Sequence, residues 1–422
     1  MFILYDLIFL LVALFYLPVY ILRKKFHPGF IMRLGFLPKG LSLHRPIWIH
    51  AVSVGEVMAV KGLIEGLRSS YPEKRIVIST VTSTGNKIAR SIAKEGDFVT
   101  YLPFDISFIV RKVIRRLNPA LFIIAETELW PNLISCLDRN GIPAITVNGR
   151  ISDSSFAGYL SVKFFIRPIF RKIKLFCVQS QRDKERLLLL GALAGQVRVT
   201  GNMKFDGTPY TGKIPDYTDL KANLGLALGG KLLVAGSTHP GEEEIILSAY
   251  KYLLASFPDL RLLIAPRHPE WAKETAKIVS RFNLRPVYIS GLGAKCETCI
   301  TTPVFILDTI GKLMDFYALA DIVFVGGSLV RKGGHNIIEP AGLGKAVLFG
   351  PYMFNFRDIA ELFLKDNAAV MVSSGRQLYE QVKLLLSNPQ QISAAAAAGQ
   401  KVVLENRGAT SRNLGCLKEF LG

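Results

Sequence analysis

The sequence predicts an α/β protein with two doubly wound domains, preceded by a membrane-anchor helix. Three observations support this prediction. Short apolar runs rich in β-branched residues alternate with helical patterns through both halves of the chain. A stretch dense in Gly, Pro and polar residues, 206–217, separates the halves and lacks helical or strand periodicity. Residues 2–22 are almost wholly apolar.

The apolar runs are predicted to be strands of two parallel sheets. Near-continuous apolar strands separated by helices are typical of parallel sheets that are covered on both faces. Seven runs in each half favour two similar domains over one large sheet. The runs of the first half are 47–52, 75–80, 98–104, 121–125, 144–148, 175–179 and 197–201. Those of the second half are 231–236, 260–265, 287–290, 304–307, 322–325, 346–350 and 368–372.

The domain boundaries follow from this pattern. We assign the first domain to residues 46–205 and the second to 218–400, and we assign 401–422 to a C-terminal helix that could pack back on the first domain. Two such domains that face each other form a cleft. Ligands of open α/β sheets bind beyond the carboxyl ends of the strands, so informative residues are expected directly after the strands.

The segment 2–22 has the length and composition of a membrane anchor. As a helix, its 21 residues extend about 31 Å, near the thickness of a bilayer core. Asp6 is its only charged residue, and Arg23, Lys24 and Lys25 follow directly, which places the rest of the chain in the cytoplasm. A cleaved signal peptide fits less well, since its positive charge precedes the apolar run. A helix that inserts without spanning remains an alternative.

Composition limits the class of protein. Half of the 422 residues are hydrophobic, which excludes a disordered chain, and five Cys exclude a disulfide scaffold. The net charge of +19 predicts an anionic partner. Charge alone leaves three kinds open: nucleic acid, a membrane surface and a phosphorylated substrate.

Candidate catalytic residues follow strands of the first half. Glu56 ends the motif HAVSVGE, where it is either a general base or a helix-dipole carboxylate behind a Ser cap. Glu126 and Glu128 follow the fourth strand in AETELWPN, as an acid/base pair or with one of them capping the next helix. Arg150 lies in the polar turn NGRISDSS and is suited to an anionic group. Lys204, in GNMKFD, is by default a surface residue unless it faces the cleft.

Candidate phosphate-binding groups follow strands of the second half. The motif GSTHPGEE places small residues before an acid-rich helix start, but it lacks the P-loop pattern and therefore does not support a P-loop ATPase. Arg267 and His268 stand in a turn held between two prolines, where both could donate to a phosphate. Residues 310–312, in DTIGKL, offer backbone N–H groups at the start of a helix.

The densest motif is GGSLVRKGGHNIIEP, residues 326–340. Its four glycines would let the backbone approach a ligand closely, and structural turns explain two of them. Asn336 and Glu339 are three residues apart, and a carboxylate there could accept both hydroxyls of a ribose. The C-x-x-C at 296–299 has no second pair at zinc spacing and is interpreted as incidental thiols in a loop.

Taken in order, these segments resemble the 3-deoxy-D-manno-octulosonic acid (Kdo) transferases of lipopolysaccharide assembly. The resemblance rests on IWIHAVSVGE, AETELWPN, NGRISD, GNMKFD, GSTHPGEE, APRHPE, DTIGKL and GGSLVRKGGHNIIEPA. It implies the GT-B glycosyltransferase architecture, in which two Rossmann-like domains face a cleft, the first binding the acceptor and the second the nucleotide sugar.

The resemblance also implies roles for single residues. Glu56 matches the general base of the family, and Glu126 and Lys204 match positions credited with transition-state stabilisation. The segments that match CMP-binding positions contain Arg267, His268, Ile310, Gly311, Lys312, Asn336, Ile337, Ile338 and Glu339.

The reaction that the resemblance implies is an inverting transfer of Kdo from CMP-Kdo to the lipid A precursor lipid IVA. It implies no cofactor and no metal ion, and its partners are the donor, the lipid acceptor and an anionic membrane surface rather than nucleic acid. The expected place is the cytoplasmic face of the inner membrane. None of these motifs sets the number of Kdo residues transferred.

Two alternatives stay open at the level of sequence. One is another GT-B glycosyltransferase with a UDP- or ADP-sugar donor. The other is a membrane-tethered nucleic-acid-binding protein, suggested by the net charge of +19. The sequence contains no aromatic RNA-binding motif and no zinc knuckle, and such a protein would leave the glycine loops after the strands unexplained.

Overall fold

The computed structural model describes residues 5–12, 14–15, 29–207, 216–226, 230–292 and 303–421. They belong to two compact units. Unit 1 comprises Met1–Gly207 and Asn406–Gly422, and unit 2 comprises Thr208–Glu405. The C-x-x-C segment and most of the separating stretch 206–217 lie outside the described residues.

Unit 1 is built on a seven-stranded parallel sheet with the order β3-β2-β1-β4-β5-β6-β7. Successive residues of one strand, such as Trp48 and Ile49, point to opposite faces and lie in separate buried clusters, so both faces of the sheet are covered. The strands are Ile47–His50 (β1), Ile76–Thr80 (β2), Phe98–Tyr101 (β3), Leu121–Ala125 (β4), Ala144–Gly149 (β5), Leu175–Val178 (β6) and Val197–Val199 (β7).

The helices of unit 1 follow the strands in alternation. The α-helices are Phe30–Arg33 (α1), Val54–Ala59 (α2), Lys61–Ser70 (α3), Ser83–Ile92 (α4), Ser107–Leu117 (α5), Pro131–Arg139 (α6), Asp153–Ser161 (α7), Lys163–Phe170 (α8) and Gln181–Leu190 (α9). Short 3-10 helices span Ala194–Gln196 and Met203–Phe205.

Unit 2 repeats the plan with a sheet of order β10-β11-β9-β8-β12-β13-β14, whose strands are also all parallel. The strands are Leu232–Thr238 (β8), Arg261–Pro266 (β9), Arg285–Tyr288 (β10), Pro303–Ile306 (β11), Ile322–Val325 (β12), Ala346–Phe349 (β13) and Val370–Met371 (β14). The α-helices are Thr218–Asn223 (α10), Glu242–Leu254 (α11), Ala272–Arg281 (α12), Leu313–Leu319 (α13), Ile338–Gly342 (α14), Arg357–Lys365 (α15), Gly375–Ser387 (α16) and Pro389–Glu405 (α17). Short 3-10 helices span Pro269–Trp271 and Ile289–Gly291.

The prediction of two parallel-sheet α/β domains is confirmed, and each of the fourteen predicted strands has a counterpart in the described residues. Strand ends differ. The first run was expected to reach residue 52, but β1 ends at His50 because the N–H of Val52 donates to a carboxylate instead of a neighbouring strand. The tenth strand begins at Arg285, two residues before its predicted start.

The end of the chain returns to unit 1. Helix α17 continues to Glu405, past the boundary placed at 400, and a further helix, Ala409–Leu421 (α18), belongs to unit 1. The carboxylate of Asp206 accepts hydrogen bonds from the N–H groups of Gly408 and Thr410, which attaches the start of α18 to the end of the first sheet.

The structure describes only part of the predicted anchor. Residues 5–12 and 14–15 are helical, and the remainder of 2–22 lies outside the described residues. Within the described ranges, no helix combines the length and the apolarity needed to cross a bilayer.

Candidate functional site

Each sheet has a switch point at which the order of the strands reverses, and candidate residues follow the strands on either side of it. In unit 1 the chain builds outward from β1 through β2 and β3 and then returns to place β4 on the other side of β1. In unit 2, β8 and β12 have the same relation. The crevice at the carboxyl ends of such a strand pair is the usual ligand site of an open α/β sheet. Glu56 and Glu126 follow the pair in unit 1.

Glu56 stands in the first turn of α2, held by the loop that precedes it. Its Oε2 accepts a hydrogen bond from the N–H of Val52 at 2.8 Å, and its Oε1 accepts one from the hydroxyl of Ser53 at 2.9 Å. Ser53 is also the N-cap of α2. The capping interpretation is therefore correct in its geometry, and the bonds fix the carboxylate without preventing a role as a base.

The electrostatic surroundings favour proton uptake by Glu56. Burial and then the negative charge of Glu126 raise the pKa of the Glu56 carboxyl, while the Val52 and Ser53 hydrogen bonds and the charge of Lys204 act in the opposite direction. A carboxylate whose pKa is raised is a better general base near neutral pH than an ordinary exposed Glu.

Glu126 and Lys204 form an ion pair beside Glu56. The Nζ of Lys204 lies 3.2 Å from Oε1 of Glu126, with both side chains largely covered. The default interpretation of Lys204 as a surface residue is therefore wrong. Glu126 has φ of 58°, and a non-glycine residue in this left-handed region carries a strain of about 1 kcal/mol or more, of the kind often found at functional sites.

Glu128 belongs to the same cluster, although no definite role was predicted for it. Burial and the charges of Glu56 and Glu126 raise the pKa of Glu128 to about 7. The N–H groups of Asn132 and Leu133, in the first turn of α6, donate to the carboxylate of Asp105, so the capping role considered for Glu126 or Glu128 belongs to Asp105. In the sequence, two carboxylates directly after a buried strand indicated a possible acid/base pair. Only the folded surroundings identify Glu128 as the one whose pKa is strongly raised.

The loop that carries Lys204 is held by β5. Asn148, fully buried and with φ of 53°, accepts a hydrogen bond from the N–H of Met203 through its Oδ1 at 2.9 Å. Arg150 stands in the same turn, and its N–H donates to the hydroxyl of Thr127 at 3.0 Å. The ends of β4 and β5 and the 203–205 turn are thereby joined around the Glu126–Lys204 pair.

In unit 2 a row of rings follows β8, β9 and β12. The imidazoles of His239 and His335 are stacked, with centroids 5.2 Å apart and Nε2 atoms at 3.0 Å. Trp271 contacts His239 and His268 edge to face, at 5.4 and 4.6 Å between centroids. Burial and the cation Arg267 lower the pKa of His335 to about 4, so at neutral pH it is an uncharged hydrogen-bonding group.

Asn336 and Glu339 are brought together as predicted. The side-chain amide of Asn336 donates to Oε1 of Glu339 at 3.1 Å. Burial raises the pKa of Glu339, and Asn336 and the positive charge of Arg267 oppose this effect. Arg267, exposed after β9, therefore lies within electrostatic reach of the carboxylate of Glu339. Such a set can bind a ribose hydroxyl and a phosphate together.

Other predicted CMP-binding residues differ in exposure. Ile310, Gly311 and Lys312 are exposed before α13, with Ile310 at 87%. Ile337 and Ile338 are 0% exposed, so neither side chain is available to a ligand.

The glycines of 326–334 have a structural explanation. Gly327, Gly333 and Gly334 have positive φ, and a Cβ at Gly326 would lie 2.6 Å from the carbonyl oxygen of Ser237. Packing and turns therefore account for all four of them, whereas the sequence interpretation assigned only two to turns.

Glu242 is a residue whose importance the sequence did not indicate. It is 0% exposed, and its carboxylate accepts four backbone N–H bonds, from His239, Gly327, Ser328 and Leu329, at 2.6 to 3.0 Å. It thus joins the loops after β8 and β12. The acid-rich helix start was visible in the sequence, but the partners are 85–87 residues away.

Replacing Glu242 with Ala should destabilise unit 2. Four backbone N–H groups, two of them fully buried, would lose their acceptor, so we expect a loss of about 3 kcal/mol or more in the free energy of unfolding. Denaturant unfolding measures this loss. The matched change Glu274→Ala, on an exposed residue that pairs with Lys277, should stay within about 0.5 kcal/mol. A Glu242→Ala protein as stable as this control would contradict the assignment.

Comparison with known proteins places these residues in context. Residues 29–207 match the family described as 3-Deoxy-D-manno-octulosonic-acid transferase (kdotransferase). A 3-deoxy-D-manno-octulosonic acid transferase of Haemophilus influenzae is 35% identical, over 89% of this chain and 87% of that protein. One of Chlamydophila psittaci is 30% identical, over 99% and 96%. A solved glycosyltransferase from Rickettsia africae is similar in fold alone, with 14% identity, a TM-score of 0.60 and coverage of 89% and 98%.

Proposed function

The chain belongs to the 3-deoxy-D-manno-octulosonic acid (Kdo) transferase family, and from this premise we propose that it moves Kdo from CMP-Kdo to the lipid A precursor lipid IVA in lipopolysaccharide biosynthesis. It is a Kdo transferase, and hence a glycosyltransferase. The observation that carries the finer proposal is the Glu56 carboxylate, fixed at the switch point of unit 1 with a raised pKa beside the Glu126–Lys204 pair.

Glu56 acts as the general base. Its carboxylate takes the proton from a primary hydroxyl of the acceptor as the hydroxyl oxygen attacks the anomeric carbon of Kdo. The bond from that carbon to the phosphate oxygen breaks in line, and CMP leaves with the electron pair, so the configuration inverts. A phosphate leaving group needs little protonation, so one carboxylate suffices where hydrolysis of an ordinary glycosidic bond needs two.

Positive charge stabilises the departing phosphate and the carboxylate of Kdo. We assign this role to Lys204 and to Arg267, since pre-arranged cations of this kind contribute most where charge develops. Asn336 and Glu339 are suited to the ribose, and His268 and the exposed 310–312 loop supply further donors. Because side chains and backbone provide these charges and donors, the proposed step uses neither a cofactor nor a metal ion.

The lipid acceptor requires a protein held at an anionic membrane, which we propose to be the cytoplasmic face of the inner membrane. The apolar segment and the Arg23–Lys25 cluster support this proposal. So does helix α5, whose exposed Arg111, Lys112 and Arg115 line a cavity of about 890 Å³ together with the exposed ring of Phe108. Basic side chains beside exposed apolar ones fit the boundary between head groups and acyl chains.

Donor selectivity tests the proposed function. CMP should protect unit 2 against limited proteolysis and raise its melting temperature, whereas UDP and ADP at equal concentration should not. The variant Glu339→Ala should lose the protection by CMP. Protection by UDP or ADP equal to that by CMP would favour a different nucleotide-sugar donor and defeat the proposal.

Neutralising the 23–25 cluster should separate membrane binding from donor binding. With Arg23, Lys24 and Lys25 changed to Gln, we expect weaker sedimentation with vesicles that contain anionic phospholipid, and little change in CMP affinity. A control that removes the same charge from exposed positions of unit 2 changes Lys277, Arg376 and Lys401 to Gln. Equal effects of the two triple variants would show that only total charge matters.

A further inference from the structure

The apolar N-terminal segment contains one charged residue, Asp6, and this residue contacts the folded body of unit 1. Its Oδ1 accepts hydrogen bonds from the backbone N–H of Ser107 at 3.2 Å and from the amide of Asn132 at 2.7 Å. Its Oδ2 accepts one from the hydroxyl of Ser107 at 2.5 Å. A carboxylate inside an apolar segment is costly without such partners, so these bonds explain how it can be accommodated there.

Asp6 provides the capping carboxylate at the N-terminus of helix α5. Ser107 is the first residue of α5, and the N-cap residue Ile106 has no side-chain hydrogen bond. The carboxylate of Asp6 therefore takes the place of an N-cap from 101 residues away, and its negative charge lies at the positive end of the helix dipole. The ring of Phe9 adds an edge contact with Phe104, 6.3 Å between centroids, in the loop before α5.

The same contact reaches the loop that carries the candidate catalytic acids. Asn132 is in the first turn of α6, which begins where the AETELWPN loop ends. Its N–H donates to Oδ2 of the buried Asp105 at 3.1 Å, its amide donates to the Asp105 carbonyl oxygen at 2.6 Å, and the hydroxyl of Tyr5 bonds the Asp105 carboxylate. Tyr5 and Asp6 thus attach the segment to the far end of the loop whose near end holds Glu126.

We propose that Asp6 is a positioning residue for Kdo transfer: by bonding Ser107 and Asn132 it lets the N-terminal segment hold the 126–132 loop, and with it Glu126 and Glu128, in place. This inference rests on the proposed function. The segment then does more than tether the enzyme, because its docked state sets the geometry of the acids beside Glu56. Misplacement of a catalytic group by about 1 Å can reduce the rate by about 100-fold.

The variant Asp6→Ala separates positioning from tethering. Removal of the only charge makes the segment more apolar, so tethering alone predicts equal or stronger membrane association and unchanged transfer. Positioning predicts that kcat for transfer falls about tenfold while the KM for CMP-Kdo and the CMP affinity stay within twofold. Asp6→Asn, which keeps one acceptor oxygen, should restore part of kcat. The full-length protein in detergent and in vesicles is assayed.

Leu11→Ala is the matched control, because Leu11 is a 65% exposed residue of the same segment. It should weaken membrane association and leave kcat in detergent unchanged. Wild-type kcat in both Asp6 variants would overturn the inference, as would a loss in Asp6→Ala that Leu11→Ala reproduces. If Asp6→Ala fails to fold, kcat of Asp6→Asn decides alone. Failure of the proposed function is distinct, since wild-type protein would then transfer no Kdo from CMP-Kdo.

Discussion

Glu56→Gln should abolish Kdo transfer while leaving CMP binding intact. The amide keeps the size of the side chain and can still accept from Val52 or Ser53, but it cannot take a proton from the acceptor hydroxyl. A positioned general base contributes about 100- to 10,000-fold, and we expect a loss of kcat in the upper part of this range, about 1,000- to 10,000-fold. Radiolabelled or mass-resolved product formation measures the rate, and calorimetric titration measures CMP affinity.

The control for this variant is Glu65→Gln, which changes an exposed Glu of the following helix that lies 4.0 Å from Lys61. It should retain full activity. Near-normal transfer by Glu56→Gln would remove Glu56 from the mechanism. A parallel loss of CMP affinity would instead indicate damage beyond the loss of a base, since Arg267, His268, Asn336 and Glu339, the proposed CMP side chains, all belong to unit 2.

Lys204→Ala should cause the second-largest loss and a shift in pH dependence. It removes a cation proposed to stabilise the leaving phosphate, a change worth about 100- to 1,000-fold in kcat at sites of this kind. The positive charge of Lys204 also lowers the pKa of Glu56, so its removal raises that pKa further. Because the base must be ionised, the acidic limb of the kcat/KM profile should move to higher pH.

The pH profile decides between two roles for Lys204. A merely structural lysine would lower the amplitude of the profile and leave its acidic limb in place, and a limb that moved to lower pH would contradict the electrostatic assignment. Lys231→Ala is the control, because Lys231 pairs with Asp321 at 3.0 Å in unit 2 and has no proposed role in the step. Its rate and pH profile should match those of the wild type.

The fold and much of the site could be predicted from the sequence for one physical reason. Parallel strands that are buried on both faces appear in the sequence as continuous apolar runs. The ligand-binding and catalytic residues of an open α/β sheet lie directly after these strands. Glu56, Glu126 and Arg267 were therefore visible as polar residues directly behind predicted strands, and Asn336 with Glu339 as a polar pair on one turn.

The remaining features depend on contacts that no local pattern reveals. Asp6 is bonded to Ser107 and Asn132, 101 and 126 residues away, and Glu242 joins loops 85–87 residues apart. The left-handed backbone of Glu126 and the raised pKa of Glu128 likewise arise only where the strand ends meet. In the sequence alone, Asp6 is an isolated charge, Glu242 is one acid of a helix start, and Glu128 is one of two acids in a loop.

Mass spectrometry of the product made from CMP-Kdo and a tetraacyl lipid A precursor tests the central proposal most directly. With purified full-length protein, we predict a product heavier than the acceptor by one or more whole Kdo residues, formed together with an equal number of CMP molecules. The mass also counts the added sugars. An acceptor of unchanged mass, with CMP-Kdo intact or merely hydrolysed, would contradict the account.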